Sequence, residues 1–105
     1  MIKVSVFYPN KPDGHFDVDY YINVHMPMAI ELMGPALKGV TAEIGLAGGM
    51  PGQPAPFAAI AAFTCDSIEA FNQAFAPHRD DLMSDIPNYT NIEPVLQVSD
   101  IRLSQ

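Results

Sequence analysis

Between Asp19 and Met28 the chain reads DYYINVHMPM, placing two phenols, an imidazole and a proline in one apolar segment. An imidazole takes or gives a proton near neutrality, so His25 has the chemistry of a general acid or base. Tyr21 lies one helical turn earlier and has the hydroxyl to hold a developing oxyanion. A second cluster, Asp85-Ile86-Pro87-Asn88-Tyr89, offers a carboxylate in a proline-punctuated loop that can turn it inward toward His25. Tyr20 and Tyr89 add hydroxyls that could bind a substrate oxygen. Each residue also has a plainer role. His25 suits a core histidine satisfied by backbone groups freed at Pro27, Asp85 suits a helix cap, and tyrosines on an amphipathic helix commonly contribute buried area.

Other chemistries find less support. His15, His25 and His78 lack the close spacing of a metal triad, and with Cys65 as the sole cysteine neither a disulfide nor a cysteine-rich zinc site can form. A haem ligand at His25 is conceivable, but nothing in the sequence requires one, so the expectation is no metal and no cofactor. The methionines read as gap-filling apolar residues, and Cys65 as a buried thiol. A net charge of −7, with Lys3, Lys11, Lys38, Arg79 and Arg102 scattered, argues against nucleic acid and anionic membranes as partners. The longest apolar run, Ala55 to Phe63, falls well short of the roughly 20 residues of a membrane span. Neither a signal peptide nor a transmembrane helix is expected, and a reducing cytoplasm fits the lone cysteine.

The elements that must position these residues follow from periodicity. At 105 residues the chain is one domain, 1–105. Ile2 to Tyr8 alternates as a strand and stops at Pro9 to Gly14. A helix is expected from Phe16 to about Leu32, with Val18, Tyr21, His25, Met28 and Leu32 on its inner face and a kink or restart at Pro27. Gly39 to Gly45 and Phe57 to Phe63 read as strands joined by a long Gly/Pro-rich connection, Gly48 to Pro54, which is a mobile lid or an ordinary hairpin loop. Asp66 or Ser67 caps a second helix that ends at Pro77; a short helix from His78 to about Ser84 and a strand from Ile92 to Leu103 complete the chain. Strand, helix, strand, strand, helix, strand is the order of a ferredoxin-like α+β fold, βαββαβ, with both helices on one face of a four-stranded antiparallel sheet. The other face, with Phe7 or Ile60, is best covered by a second copy, so a homodimer is expected.

Tyr21, His25 and Pro27, spaced Tyr-x-x-x-His-x-Pro in a strand–helix unit, together with Asp85 to Pro94 before the last strand, resemble the EthD family of dimeric α/β-barrel proteins. The resemblance spans almost the whole chain. It implies a two-chain barrel with a small-molecule cleft between sheet and helices in each protomer. Biochemical function in that family is poorly defined, and related barrels include cofactor-free monooxygenases, isomerases and haem proteins. Two expectations follow: an enzyme of catabolic or tailoring metabolism acting on a small apolar carbonyl or lactone compound, or a non-catalytic binding or accessory protein that supports an oxidoreductase, as in ethyl tert-butyl ether degradation.

Overall fold

The computed structural model describes residues 1–105. Strand β1 (Ile2–Pro9) is followed by α1 (Val18–Tyr20), a π-helical turn over Tyr21–His25 and α2 (Met26–Met33), which run on as one helical rod. Strands β2 (Gly39–Ile44) and β3 (Phe57–Cys65) precede α3 (Ile68–Phe75), α4 (Arg79–Asp85) and β4 (Val95–Asp100). The sheet order is β2-β3-β1-β4 and every neighbouring pair is antiparallel. This is the ferredoxin-like α+β arrangement expected from the element order.

Register decides which residues meet the helices. Val4 pairs with Phe63 and Val98, and Val6 with Ala61 and Leu96, so these share the helix-covered face. The opposite face carries Phe7 and Ile60, which pair directly and remain half-buried. On β3 the alternation is sharp: Ala59, Ala61, Phe63 and Cys65 are buried while the residues between them are not. Small residues on this strand leave room for the aromatic side chains above the sheet. β4 is an edge strand, and its expected span contracts to Val95–Asp100 because Pro94 has no N–H for the ladder. Ile92, assigned from sequence to that strand, is instead a buried core residue in the preceding loop.

The first helical rod differs from a simple α-helix. Asp17 caps it, its carboxylate accepting from the Tyr20 N–H at 3.1 Å. Between Tyr21 and His25 the turn widens, and the Met26 N–H donates to the Tyr21 carbonyl, an i to i−5 bond. Pro27 follows in the first turn of α2, where it has no N–H to place and where the wide turn relieves its crowding of the preceding carbonyls. The proline therefore stands in the first turn of α2, the restart expected of it, with the π turn directly before it. The π turn uses one extra residue, so the buried face runs Tyr21, His25, Ala29, Met33 at steps of four, joined by Met26. Val18, expected inside, is largely exposed, and Met28 and Leu32 are only half-buried.

Ser67 caps α3 by accepting from the Ala70 N–H at 3.0 Å. The connection from Gly45 to Pro56 is a hairpin link with its own bonds, including Gly48 N–H to the Gln53 carbonyl at 2.7 Å. No helix is long and apolar enough to cross a membrane.

Candidate functional site

The start of the helical rod is pinned to the segment before β4. The Asp17 N–H donates to the Tyr89 carbonyl at 2.7 Å, and the Thr90 hydroxyl donates to the His15 carbonyl at 2.6 Å. Asn91 accepts from the His15 N–H at 2.9 Å and donates to the Asp13 carbonyl at 2.9 Å. These bonds hold the wide turn of the rod against the C-terminal end of α4, and so bring His25 and Asp85 together across 60 residues of sequence.

Asp85 lies at the end of α4 rather than in the loop expected for it, and the helix end directs its side chain between the rod and the Ile86–Asn88 turn. One carboxylate oxygen, Oδ1, accepts from the Tyr20 hydroxyl at 2.6 Å and from Asn88 Nδ2 at 3.0 Å. The other, Oδ2, lies 2.9 Å from His25 Nδ1. Desolvation raises the carboxyl pKa, but the bonds from Tyr20, Asn88 and His25 outweigh it and hold Asp85 below the ordinary carboxylate value. An anionic acceptor assigns the proton to His25 Nδ1. In the neutral ring Nε2, which bonds to nothing in the chain, then carries the lone pair.

His25 is 8 % exposed and packs against the Tyr89 ring at 4.7 Å between centroids and the Tyr21 ring, stacked, at 5.9 Å. It lines a cavity of about 70 Å³ between the sheet and the helices. Val4, Val6, Ala61 and Phe63 form the floor; Ala29, Met33, Phe71 and Leu82 are among the residues that close it above. Fifteen of its 17 lining residues are hydrophobic, and the polar side-chain atoms available to it come from His25, Tyr8 and Tyr21.

The phenols are sorted by their partners. The Tyr8 and Tyr89 hydroxyls bond each other at 2.7 Å in the interior. Tyr21 is 1 % exposed, and its hydroxyl is the buried side-chain oxygen left without a hydrogen-bond partner. Burial, and secondarily the nearby Tyr8 hydroxyl, push the Tyr21 phenol up, so it stays protonated and is a donor in want of an acceptor. Burial likewise raises Tyr8 and Tyr89. The bond to Asp85, followed by desolvation, raises Tyr20.

Of the five residues singled out from sequence, His25 and Tyr21 line the cavity, Asp85 stands behind His25, and Tyr20 and Tyr89 line no part of it. In the free chain the Tyr20 hydroxyl is bonded to Asp85 and the Tyr89 hydroxyl to Tyr8. Two participants were not anticipated. Tyr8 ends the inward face of β1 with a hydroxyl, a polar group on an otherwise apolar period-2 face. Asn88 lies three residues after Asp85, a spacing that favours a local side-chain bond at a helix end. No cluster of three or more His, Cys, Asp or Glu side chains is arranged to hold a metal ion. Cys65 is buried at the end of β3, away from this cluster, and desolvation raises its thiol pKa.

These features define a small ferredoxin-like α+β domain with a carboxylate–imidazole pair set against a hydrocarbon cavity. The model of the EthD domain matches residues 15–93, which include both segments of the site, and the chain belongs to the EthD family. It is 44% identical to an EthD-like protein of Ralstonia eutropha JMP134, with a TM-score of 0.94 over 99% of this chain and 94% of that one. An EthD-family protein of Bacillus halodurans C-125 has 19% identity and a TM-score of 0.67, covering 96% of this chain and 98% of its own. A protein of Arabidopsis thaliana shares the fold at 11% identity and a TM-score of 0.70, covering 100% of this chain and 99% of its own. No curated protein matches the chain at a significant level.

Proposed function

We propose that the protein binds a small apolar carbonyl compound in the cavity and that His25 moves a proton on it. One observation carries this reading: the imidazole is held at Nδ1 by an anionic carboxylate, makes no second bond within the chain and lines an otherwise hydrocarbon cavity. A carbonyl oxygen accepting from the Tyr21 hydroxyl satisfies the buried donor that has no partner in the chain. His25 Nε2 takes a proton from the adjacent carbon, the C–H electron pair becomes the enol double bond, and the carbonyl oxygen gains negative charge against Tyr21. Return of the proton to the same or another carbon regenerates the histidine. The step needs no redox partner.

The experiment is α-hydrogen exchange. Enolisable cyclic ketones of increasing size, incubated with the protein in D₂O, are followed by proton NMR, and His25→Gln is expected to slow protein-dependent exchange by about 10²–10⁴-fold. Exchange at the same rate in wild type and His25→Gln overturns the catalytic role. The non-catalytic reading, a carrier or accessory protein, draws on the same hydrocarbon lining. It predicts saturable ketone binding that His25→Ala weakens, with no exchange above the buffer rate in either protein. A single buried thiol suits a reducing cytoplasm as the setting for either role.

A further inference from the structure

The two oxygens of Asp85 are bonded unequally. Oδ2 meets only His25 Nδ1, at 2.9 Å, whereas Oδ1 accepts from the Tyr20 hydroxyl at 2.6 Å and from Asn88 Nδ2 at 3.0 Å. Both donors reach Oδ1 through a local departure from the α-helix. Tyr20 and His25 are five residues apart on one rod, and at ~100° per residue an α-helix points such residues about 140° apart, toward different neighbours. The π turn over Tyr21–His25 takes up one extra residue and closes that angle to roughly 40°, so both side chains reach the same carboxylate. On the other side Ile86–Asn88 is a 3₁₀ turn, in which side chains three apart eclipse, and Asn88 therefore stands over Asp85. Asn88 Nδ2 also donates to the Tyr20 hydroxyl at 3.5 Å, and the Tyr20 ring is held by stacking on Tyr89 at 6.2 Å.

A carboxylate bonded to His25 alone is free to rotate about Cβ–Cγ and turn its oxygens toward water, because burial of the charge opposes the pair. Desolvation does push the Asp85 carboxyl up, and Tyr20, then Asn88, pull it down more than His25 does. The anion is thus in place without a charged imidazole beside it. We infer that Tyr20 and Asn88 are positioning residues for the proton transfer: by gripping Oδ1 they keep Oδ2 on His25 Nδ1, and so hold the imidazole in one tautomer and one orientation while it takes the substrate proton. The inference rests on the functional reading above and adds to it two residues that do not line the cavity. As the ring becomes imidazolium, its counter-charge is already oriented and nothing need reorganise.

The test measures protein-dependent α-hydrogen exchange of cyclohexanone in D₂O as a function of ketone concentration. Tyr20→Phe and Asn88→Ala should each lower the saturated rate about tenfold, the weight of one hydrogen bond to a charged group, and leave the half-saturating concentration unchanged within about twofold. In an Asp85→Ala background neither substitution should slow exchange further, since no carboxylate remains to be held. The His25 Nδ1–H proton, seen at low field in the NMR spectrum of wild type, should broaden in both variants through faster exchange with water. Asn88 is exposed, so Asn88→Ala decides the question even where Tyr20→Phe folds poorly. Variants that exchange at the wild-type saturated rate, with wild type active, overturn the positioning role and leave the functional reading standing. So does an unchanged Nδ1–H signal, or equal slowing in the Asp85→Ala background. A rise in half-saturating concentration alone makes these residues ligand contacts and also overturns the inference. Wild type that exchanges cyclohexanone no faster than buffer overturns the functional reading and this inference with it.

Discussion

Replacing Tyr21 by phenylalanine should make the protein more stable and less able to hold its ligand. In most cores a Tyr→Phe change removes a hydrogen bond; here the hydroxyl has no partner, while the ring is 1 % exposed and packed against Phe16, Tyr8 and Tyr89. The ring contacts survive the substitution. What disappears is the desolvation cost of a buried hydroxyl that makes no bond, about 1–3 kcal/mol. The Tyr8 hydroxyl is close by, but it is engaged with Tyr89 at 2.7 Å and no hydrogen bond joins it to Tyr21. Tyr21→Phe should therefore raise the unfolding free energy by about 1 kcal/mol or more, which for a domain of this size lifts the Tm by roughly 4 °C or more. Urea unfolding at fixed protein concentration reads this directly, with the m-value unchanged because the buried surface is the same. In parallel, ketone binding should weaken about fivefold or more as the carbonyl loses its donor. A Tyr21→Phe protein that is less stable than wild type refutes the reasoning, because it means that the hydroxyl bonds inside the free protein and is structural.

Acid should expose the carboxylate. The Asp85 pKa lies below its ordinary value in the folded state, so its contribution is fully present above about pH 4 and is lost as pH falls through the folded value; Asp85→Asn should flatten that part of the urea-stability profile. Base should act through the phenols. All four tyrosines have raised pKa values, so their neutral forms support the fold fully below about pH 10 and lose that support as pH rises further. Absorbance at 295 nm should show Tyr8, Tyr21 and Tyr89 ionising only together with loss of circular dichroism, and Asp85→Asn should bring Tyr20 back toward its ordinary value. The sheet face bearing Phe7, Ile60 and the exposed Val95 of the edge strand predicts a homodimer, and light scattering that gives a one-chain mass at micromolar concentration contradicts it. The Gly45–Pro56 link does not line the cavity, so amide exchange at Gly48, Gly49 and Gly52 should be unchanged by a saturating cyclic ketone; protection there would make it a lid.

What could be read from the sequence was what local period determines. Period-2 alternation marks β1 and β3, Ser67 marks its helix, and the order of elements specifies the sheet. The meeting of His25 with Asp85 was legible only as an expectation, because nothing local encodes a contact between residues 60 apart. The register of the first helix after His25 was misjudged for a physical reason. Counting at 3.6 residues per turn places Met28 and Leu32 inward, and a single π turn advances the face by one, to Ala29 and Met33. Pro27 signalled an irregularity without saying which kind. Tyr20 and Tyr21 were distinguishable only in three dimensions, since adjacent helical residues point about 100° apart and their partners come from different elements.

The bonds that build the site share a property of sequence distance. His25 to Asp85 spans 60 positions, Tyr20 to Asp85 65, and Tyr8 to Tyr89 81, in a chain of 105. Each closes a loop comprising more than half of the polypeptide, and contacts of that separation form late because the chain entropy of closure comes before any reward. A nascent chain that has not yet released residues 85–89 has the helix, the histidine and most of the sheet, yet its imidazole has no carboxylate and its Tyr8 no mate. Competence therefore arrives in a single late event. Full-length folding and completion of the carboxylate–imidazole pair therefore coincide, and neither fragments nor partly folded chains carry the finished site.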